Sequence, residues 1–287
     1  MDYLTIRLLS SFLVGAIISQ SGSLLQLGTR NPLASSSTLG FDGLAVLWVL
    51  VFHSLAVSFH FDVSPLIGLP VFLLVGFLLS KFFGGTRRFE RLILLGLSFN
   101  LLVGAIFALW QFLFLAFNLP FPVELWFGHF RFANESSLLG LVILEIVLLG
   151  VLFLRFKDMQ LFSYGKAIST NFNLNEARLF KFILIAVSVA TFVIVSQFGA
   201  FTFLGLIFPI MARKIWFKKH DLEGEFLFGS LTNGIFLMVL DAACYFFPVY
   251  GAEIPTGLIV TSVGAVSLIL ILWTTHKDSE SLANPKK

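Results

Sequence analysis

Cysteine, charge and long polar stretches are all scarce in this sequence. Its one cysteine, Cys244, lies in an apolar segment. This excludes an internal disulfide and any multi-cysteine metal site, and leaves packing as its role. The five histidines, His53, His60, His129, His220 and His276, sit in different segments without metal-ligand spacing, so no metal or other cofactor is expected. No phosphate-binding Walker A run, G-x-S-x-G elbow or H-E-x-x-H zinc motif occurs. An intramembrane enzyme is therefore disfavoured, no catalytic residue is assigned, and energy for any pumping must come from a separate subunit. Only 12% of residues are charged, and the longest polar regions, Phe156 to Asn175 and His276 to Lys287, are too short to fold alone. Residues 1–287 read as one integral domain.

Apolar sequence is what the chain has in abundance. It is 57% hydrophobic with a mean hydropathy of +0.95, which marks a polytopic, all-α membrane protein. Apolar segments lie near Leu8 to Gln26, Leu44 to Val57, Leu66 to Phe83, Leu92 to Phe117, Leu138 to Leu154, Phe182 to Ser196, Ala200 to Trp216, Phe226 to Phe247 and Gly257 to Trp273. This predicts a helical bundle of about nine spans. Cytoplasmic loops hold an excess of Lys and Arg. With alternate loops inside, only Arg7 and Arg131 of the 19 basic residues fall outside, so the N-terminus is expected outside and the C-terminus in the cytoplasm. The net charge of +3 thus reports topology, not nucleic-acid binding. The first apolar run continues into Gln26 without a convincing cleavage site and reads as a retained span, not a signal peptide.

Between the first two runs lies Ser21 to Gly43, small, polar and punctuated by Gly and Pro. Freed backbone groups in a bilayer need protein or a wetted cavity to satisfy them, so this segment points to a transport pathway. Neutral polar residues suit a cavity that must release its cargo, and Gln20, Ser21, Gln26, Asn31, Ser98, Asn100 and Gln111 are the pathway candidates; for any one of them an interhelical hydrogen bond is the plainer role. Asp241 and Glu145 are the carboxylates deepest in apolar surroundings and each needs a partner. Glu145 is left open between pathway, contact with a neighbouring subunit, and packing.

Four blocks carry a resemblance. They are Val14-Gly15-Ala16 through Gly22, Gln26 and Thr29-Arg30-Asn31-Pro32-Leu33-Ala34 to Leu39-Gly40; Glu90-Arg91-Leu92 with Gly96, Ser98 and Trp126-Phe127-Gly128-His129-Phe130; Phe203-Leu204-Gly205-Leu206-Ile207-Phe208-Pro209 with Ala212-Arg213 and His220-Asp221; and Leu240-Asp241-Ala242 with Ala252-Glu253-Ile254-Pro255-Thr256-Gly257 and Val263-Gly264-Ala265. In this order they resemble the FecCD-type permeases of type II ABC importers, which take up iron-siderophores, haem and vitamin B12. The family usually has ten spans, and the one lacking here precedes Arg7; either nine spans are real or the start of the frame is misplaced.

The resemblance implies a permease in the cell's cytoplasmic membrane, in contact with lipid. It pairs with a second permease, two cytoplasmic ATP-binding subunits and an extracytoplasmic binding protein that delivers an iron chelate, haem or corrinoid. Phe156 to Asn175 is similar to the family's coupling segment, which implies ATPase contacts at Ser163, Gly165, Lys166, Ala167, Asn171 and Leu174. For Asp241 it implies a structural hydrogen-bonding role, and for Arg7, Arg131 and Glu253 a place on the external docking rim. The competing reading is a proton-driven secondary transporter working through Glu145 and Asp241.

Overall fold

A computed structural model describes residues 2–59, 65–83, 89–117, 126–215 and 222–283 of the chain. The His220-Asp221 turn, His60 and the basic residues Arg87, Arg88, Lys218, Lys219, Lys286 and Lys287 lie outside the described residues, as do the side chains of Lys166 and Ala167. The helices are α1 (Tyr3–Thr29), α2 (Phe41–Phe59), α3 (Leu69–Phe83) after a 3-10 turn at Pro65–Gly68, α4 (Phe89–Ala116), α5 (Glu135–Ser163), α6 (Lys166–Asn171), α7 (Glu176–Phe198), α8 (Leu204–Ile215), α9 (Leu222–Phe246) and α10 (Thr256–Ala283). Every expected apolar segment falls on one of these helices, and α6 is extra.

Three boundaries differ clearly from expectation, one being that α10 continues past Trp273 to Ala283. The region Phe156 to Ser163, expected as loop, continues α5, because Lys157, Met159, Gln160 and Leu161 all sustain a helix and the first breaker is Gly165. Residues 200–203, expected in a span, are not helical: Gly128 N–H donates to Ala200 O and His129 N–H to Phe198 O, both at 2.8 Å, and Phe203 takes a left-handed φ of 68° before α8 begins. Among the described residues, five helices are long and apolar enough to cross a membrane: Tyr3–Thr29, Leu94–Ala116, Glu135–Ser163, Glu176–Phe198 and Leu222–Phe246.

The architecture is organised around α1. It is packed by α5, α7, α8 and α9, so even its polar residues are buried, from Ser10 and Ser11 through Ser19, Gln20, Ser21 and Ser23 to Gln26 and Thr29. Val14, Ile17, Leu24 and Leu25 are fully enclosed with Ile183, Leu184 and Val187 of α7 and Leu237 of α9 in one core. By contrast, α4 presents Leu94, Leu95, Leu101, Leu109, Phe112 and Leu115 outward.

The end of α1 is set locally. Arg30 adopts the left-handed conformation (φ 51°), and Asn31 N–H reaches back to Gln26 O while Arg30 N–H reaches Leu27 O, closing the last turn in a Schellman arrangement. Pro32 cannot extend the helix, and the Asn31 carboxamide accepts from Leu33 N–H at 2.9 Å to set the next turn. Ser35 and Thr38 then hydrogen-bond one another before α2 begins.

Candidate functional site

Three polar clusters lie along the central helix. At its N-terminal end the Arg7 guanidinium grips Asp241 of α9 with two N–H donors, at 2.8 and 2.9 Å, and donates a third at 2.8 Å to Glu253. Thr256 at the head of α10 donates to the same Asp241 at 2.7 Å, and Arg7 lies over the Tyr245 ring. Arg7 is 2% exposed and Asp241 fully buried. The docking-rim assignment of Arg7 is therefore corrected: its charge is spent inside the chain, tying α1, α9 and the turn before α10 together. Glu253 keeps 29% of its side chain exposed, and Arg131 is exposed while its carbonyl accepts from Tyr3 O–H at 2.8 Å.

Further along, α1 meets α8 at close range. Pro209 inside α8 has no N–H for the Gly205 carbonyl. The Gln26 amide lies against this freed carbonyl and its neighbour, donating to Leu206 O at 3.1 Å and approaching Gly205 O at 3.5 Å. Its oxygen accepts from Arg213, which also pairs with Glu225 of α9. Gly22 makes this approach possible, because a Cβ there would fall inside the Gly205 carbonyl. Replacing Gln26 with leucine leaves the freed Gly205 carbonyl without an amide beside it and takes the acceptor from one Arg213 N–H. We expect a loss of about 1–3 kcal/mol, the cost of leaving buried polar groups unpaired, seen as a lower thermal-unfolding midpoint in lipid nanodiscs; an unchanged midpoint refutes the assignment.

The third cluster joins the far end of α1 to the α6 region. Arg30 donates to Glu176 at 3.0 Å and stacks over Phe162, 4.1 Å from the ring centre. Ser169 of α6, fully buried, donates to the same Glu176 carboxylate. Leu174 N–H closes on Ser169 O at 2.9 Å, and Asn175 caps α7 through Arg178 N–H at 3.0 Å. The short α6 segment is thus fastened to the central helix through one carboxylate.

A match to the FecCD transport family runs over residues 1–274. The chain belongs to the FecCD family. It is 27% identical over 285 residues to the probable siderophore transport system permease protein YfhA of Bacillus subtilis (strain 168), covering 95% of this chain and 80% of that one. It is 28% identical over 279 residues to the Fe(3+) dicitrate transport system permease protein FecD of Escherichia coli (strain K12), covering 95% and 84%. The fold is shared with an inward-facing ABC transporter described as of the metal-chelate type, at a TM-score of 0.73 and 20% identity over 94% of this chain and 85% of that one. The chain is accordingly an all-helical membrane protein.

Within this FecCD chain, the expected pathway residues have separate surroundings. Gln20 donates to Glu145 of α5 at 2.7 Å, which gives Glu145 an interhelical partner. Ser21 borders a void of about 10 Å³, Gln26 is committed to α8, and Asn31 shapes the turn after α1. Ser98 is exposed on α4, as is Gln111. Asn100 alone of the set lines the larger cavity, about 150 Å³, and donates to the Ser37 carbonyl. Of the coupling candidates, Ser163 ends α5 with its hydroxyl on Gln160 O at 2.7 Å, Gly165 precedes α6, Asn171 is exposed and Leu174 half-buried. The residues that bind these pieces together, Phe162, Ser169, Glu176 and Arg213, gave no signal as partners, since the contacts that reach α1, to Arg30 and Gln26, cross unrelated segments of sequence. Asp42 was also missed, a carboxylate 6% exposed at the start of α2.

Proposed function

We propose that this chain is the membrane-spanning permease subunit of an ATP-binding-cassette importer for a ferric chelate, haem or corrinoid. It acts with a second permease, a pair of cytoplasmic ATP-binding subunits that hydrolyse the nucleotide, and an extracytoplasmic binding protein. Membership of the FecCD family over nearly the whole chain carries this reading, and its relatives named for siderophore and Fe(3+) dicitrate transport favour a ferric chelate as cargo.

The mechanism follows from the fastening of α6. ATP-binding subunits press on the segment from Ser163 through Gly165, Lys166, Ala167 and Asn171 to Leu174, and Ser169, Glu176 and Arg30 pass the displacement to the inner end of α1. Because α1 is clamped to α8 and α9, its movement shifts those helices together and changes the width of the passage beside them. Gln20, Ser21, Gln26, Asn31, Ser98 and Asn100 line or support that passage. Arg131 and Glu253 receive the binding protein, with Arg7 holding Glu253 in place. Asp241 is occupied by Arg7 and Thr256, which leaves the proton-driven alternative without a free carboxylate at that position.

Gly165 gives the direct test. Its φ of 103° and ψ of 172° belong to a region open only to glycine, and a Cβ there meets nothing within 4 Å. Gly165→Val therefore acts on the backbone and not through packing, at a strain of about 1–3 kcal/mol. In the reconstituted complex it should abolish transport-linked stimulation of ATP hydrolysis while the protein remains inserted. Stimulation at the wild-type level defeats the coupling role.

A further inference from the structure

We propose that the cavity between α4 and α10 binds a monopositive cation, either an alkali ion or the ammonium group of a cargo, on the carboxylate of Asp42. The cavity measures about 150 Å³, and Ser37, Asp42, Asn100, Trp126, Thr202 and Thr261 form part of its wall. That is room for a small ion with several waters.

Proton bookkeeping decides the sign of the ligand. The Thr261 hydroxyl donates to Gly257 O at 2.7 Å, so its 2.8 Å contact with Thr202 is filled by the Thr202 proton. The Asn100 amide donates to Ser37 O, and its oxygen is the atom packed against Gly43 on the cavity wall. Both hydroxyl protons are thus spent on protein acceptors, and Thr202 Oγ1, Asn100 Oδ1 and Asp42 offer lone pairs. Ser36 hydrogen-bonds Asp42, yet neither this cavity nor the small void on the other side of Asp42 has a Lys, Arg or His among its described lining residues. A buried carboxylate is neutralised either by a proton or by a counter-charge, and a cation in this cavity supplies the second. Oxygen donors suit a hard ion, a single carboxylate is balanced by one positive charge, and Trp126 is part of the same wall.

The test uses the full transporter complex in nanodiscs. Thermal unfolding is followed in sodium, potassium and methylammonium chloride against the bulky N-methylglucamine chloride at equal ionic strength. We expect saturable stabilisation by at least one small cation and, in Asp42→Asn, an apparent affinity about tenfold weaker, as for loss of one ionic contact. Thr202→Val removes a neutral donor atom, should weaken binding less, and carries the test if Asp42→Asn does not fold. Identical curves in all four salts, or stabilisation undiminished in the variants that fold, overturn the proposal. A second arm identifies the source of the cation and rests on the importer reading. Uptake of a ferric chelate bearing a free ammonium is compared with its N-acetylated form. A fall of that ratio in Asp42→Asn assigns the site to cargo, and an unchanged ratio assigns it to a free ion. A wild-type complex that moves neither chelate counts against the importer reading and leaves the site to be decided by the unfolding curves.

Discussion

Replacing Asp241 with leucine should be among the most damaging single changes in this protein. It leaves the Arg7 guanidinium, 2% exposed, with two donors unpaired. Removing one partner of a buried ion pair costs about 3–5 kcal/mol, a fall of roughly 10 °C in unfolding midpoint for a chain of this size. Arg7→Met should be of similar severity, because Asp241 then keeps only Thr256. The double variant Arg7→Met/Asp241→Leu should lie closer to wild type than either single one, since an apolar pair can replace a buried ionic pair at little net cost. Additive losses in that cycle contradict the assignment. The same series separates support from docking: Arg131→Glu, at an exposed position, should weaken capture of the binding protein and leave the unfolding midpoint in place.

Gly22→Leu should be comparably severe for a different reason. The atoms a side chain would strike are the backbone carbonyl and Cα of Gly205, which cannot rotate aside as a flexible side chain can. Overpacking of a close contact costs typically about 1–3 kcal/mol, and more where backbone blocks relief. Here α1 and α8 must separate, which also breaks the Gln26 bond to Leu206. We expect Gly22→Leu to lose both thermal stability and transport, with Gly22→Ala intermediate. A Gly22→Leu protein with a wild-type midpoint shows that α1 and α8 are not in close contact.

These two sites show what sequence could and could not reveal. Apolar runs of helical length placed α1 to α5 and α7 to α10, because burial in lipid or core leaves a long, continuous signature. Helix ends were less legible: α5 runs to Ser163 on residues that are polar yet helix-favouring, and the chain leaves the helix where Phe198 and Ala200 accept from His129 and Gly128. The motif around Gly22, Gln26 and Pro209 was visible as letters. Its meaning was not, because the freed carbonyl on α8 and the amide that lies against it are 179 residues apart in the chain. Arg7 was misplaced for a related reason. The resemblance placed it on the external rim, and the carboxylates that bury it lie 234 and 246 residues away in the chain. Asp42 escaped notice inside a polar segment, where one acid among serines looks solvated.

The enclosure of α1 also bears on the order in which the protein is made. α1 is among the least hydropathic of the five long apolar helices, at 1.6 against 2.8 for α5, and is 78% buried. Its serines and glutamines are at home beside protein and poorly suited to lipid, yet α1 leaves the ribosome before any helix that shelters it. Its principal cover, α9, begins at Leu222. Until α5 begins at Glu135 none of the helices that pack it has been made, and its cover is completed only with α9. The ion pair of Arg7 with Asp241, which needs α9, is therefore among the last contacts of the central helix that synthesis makes available.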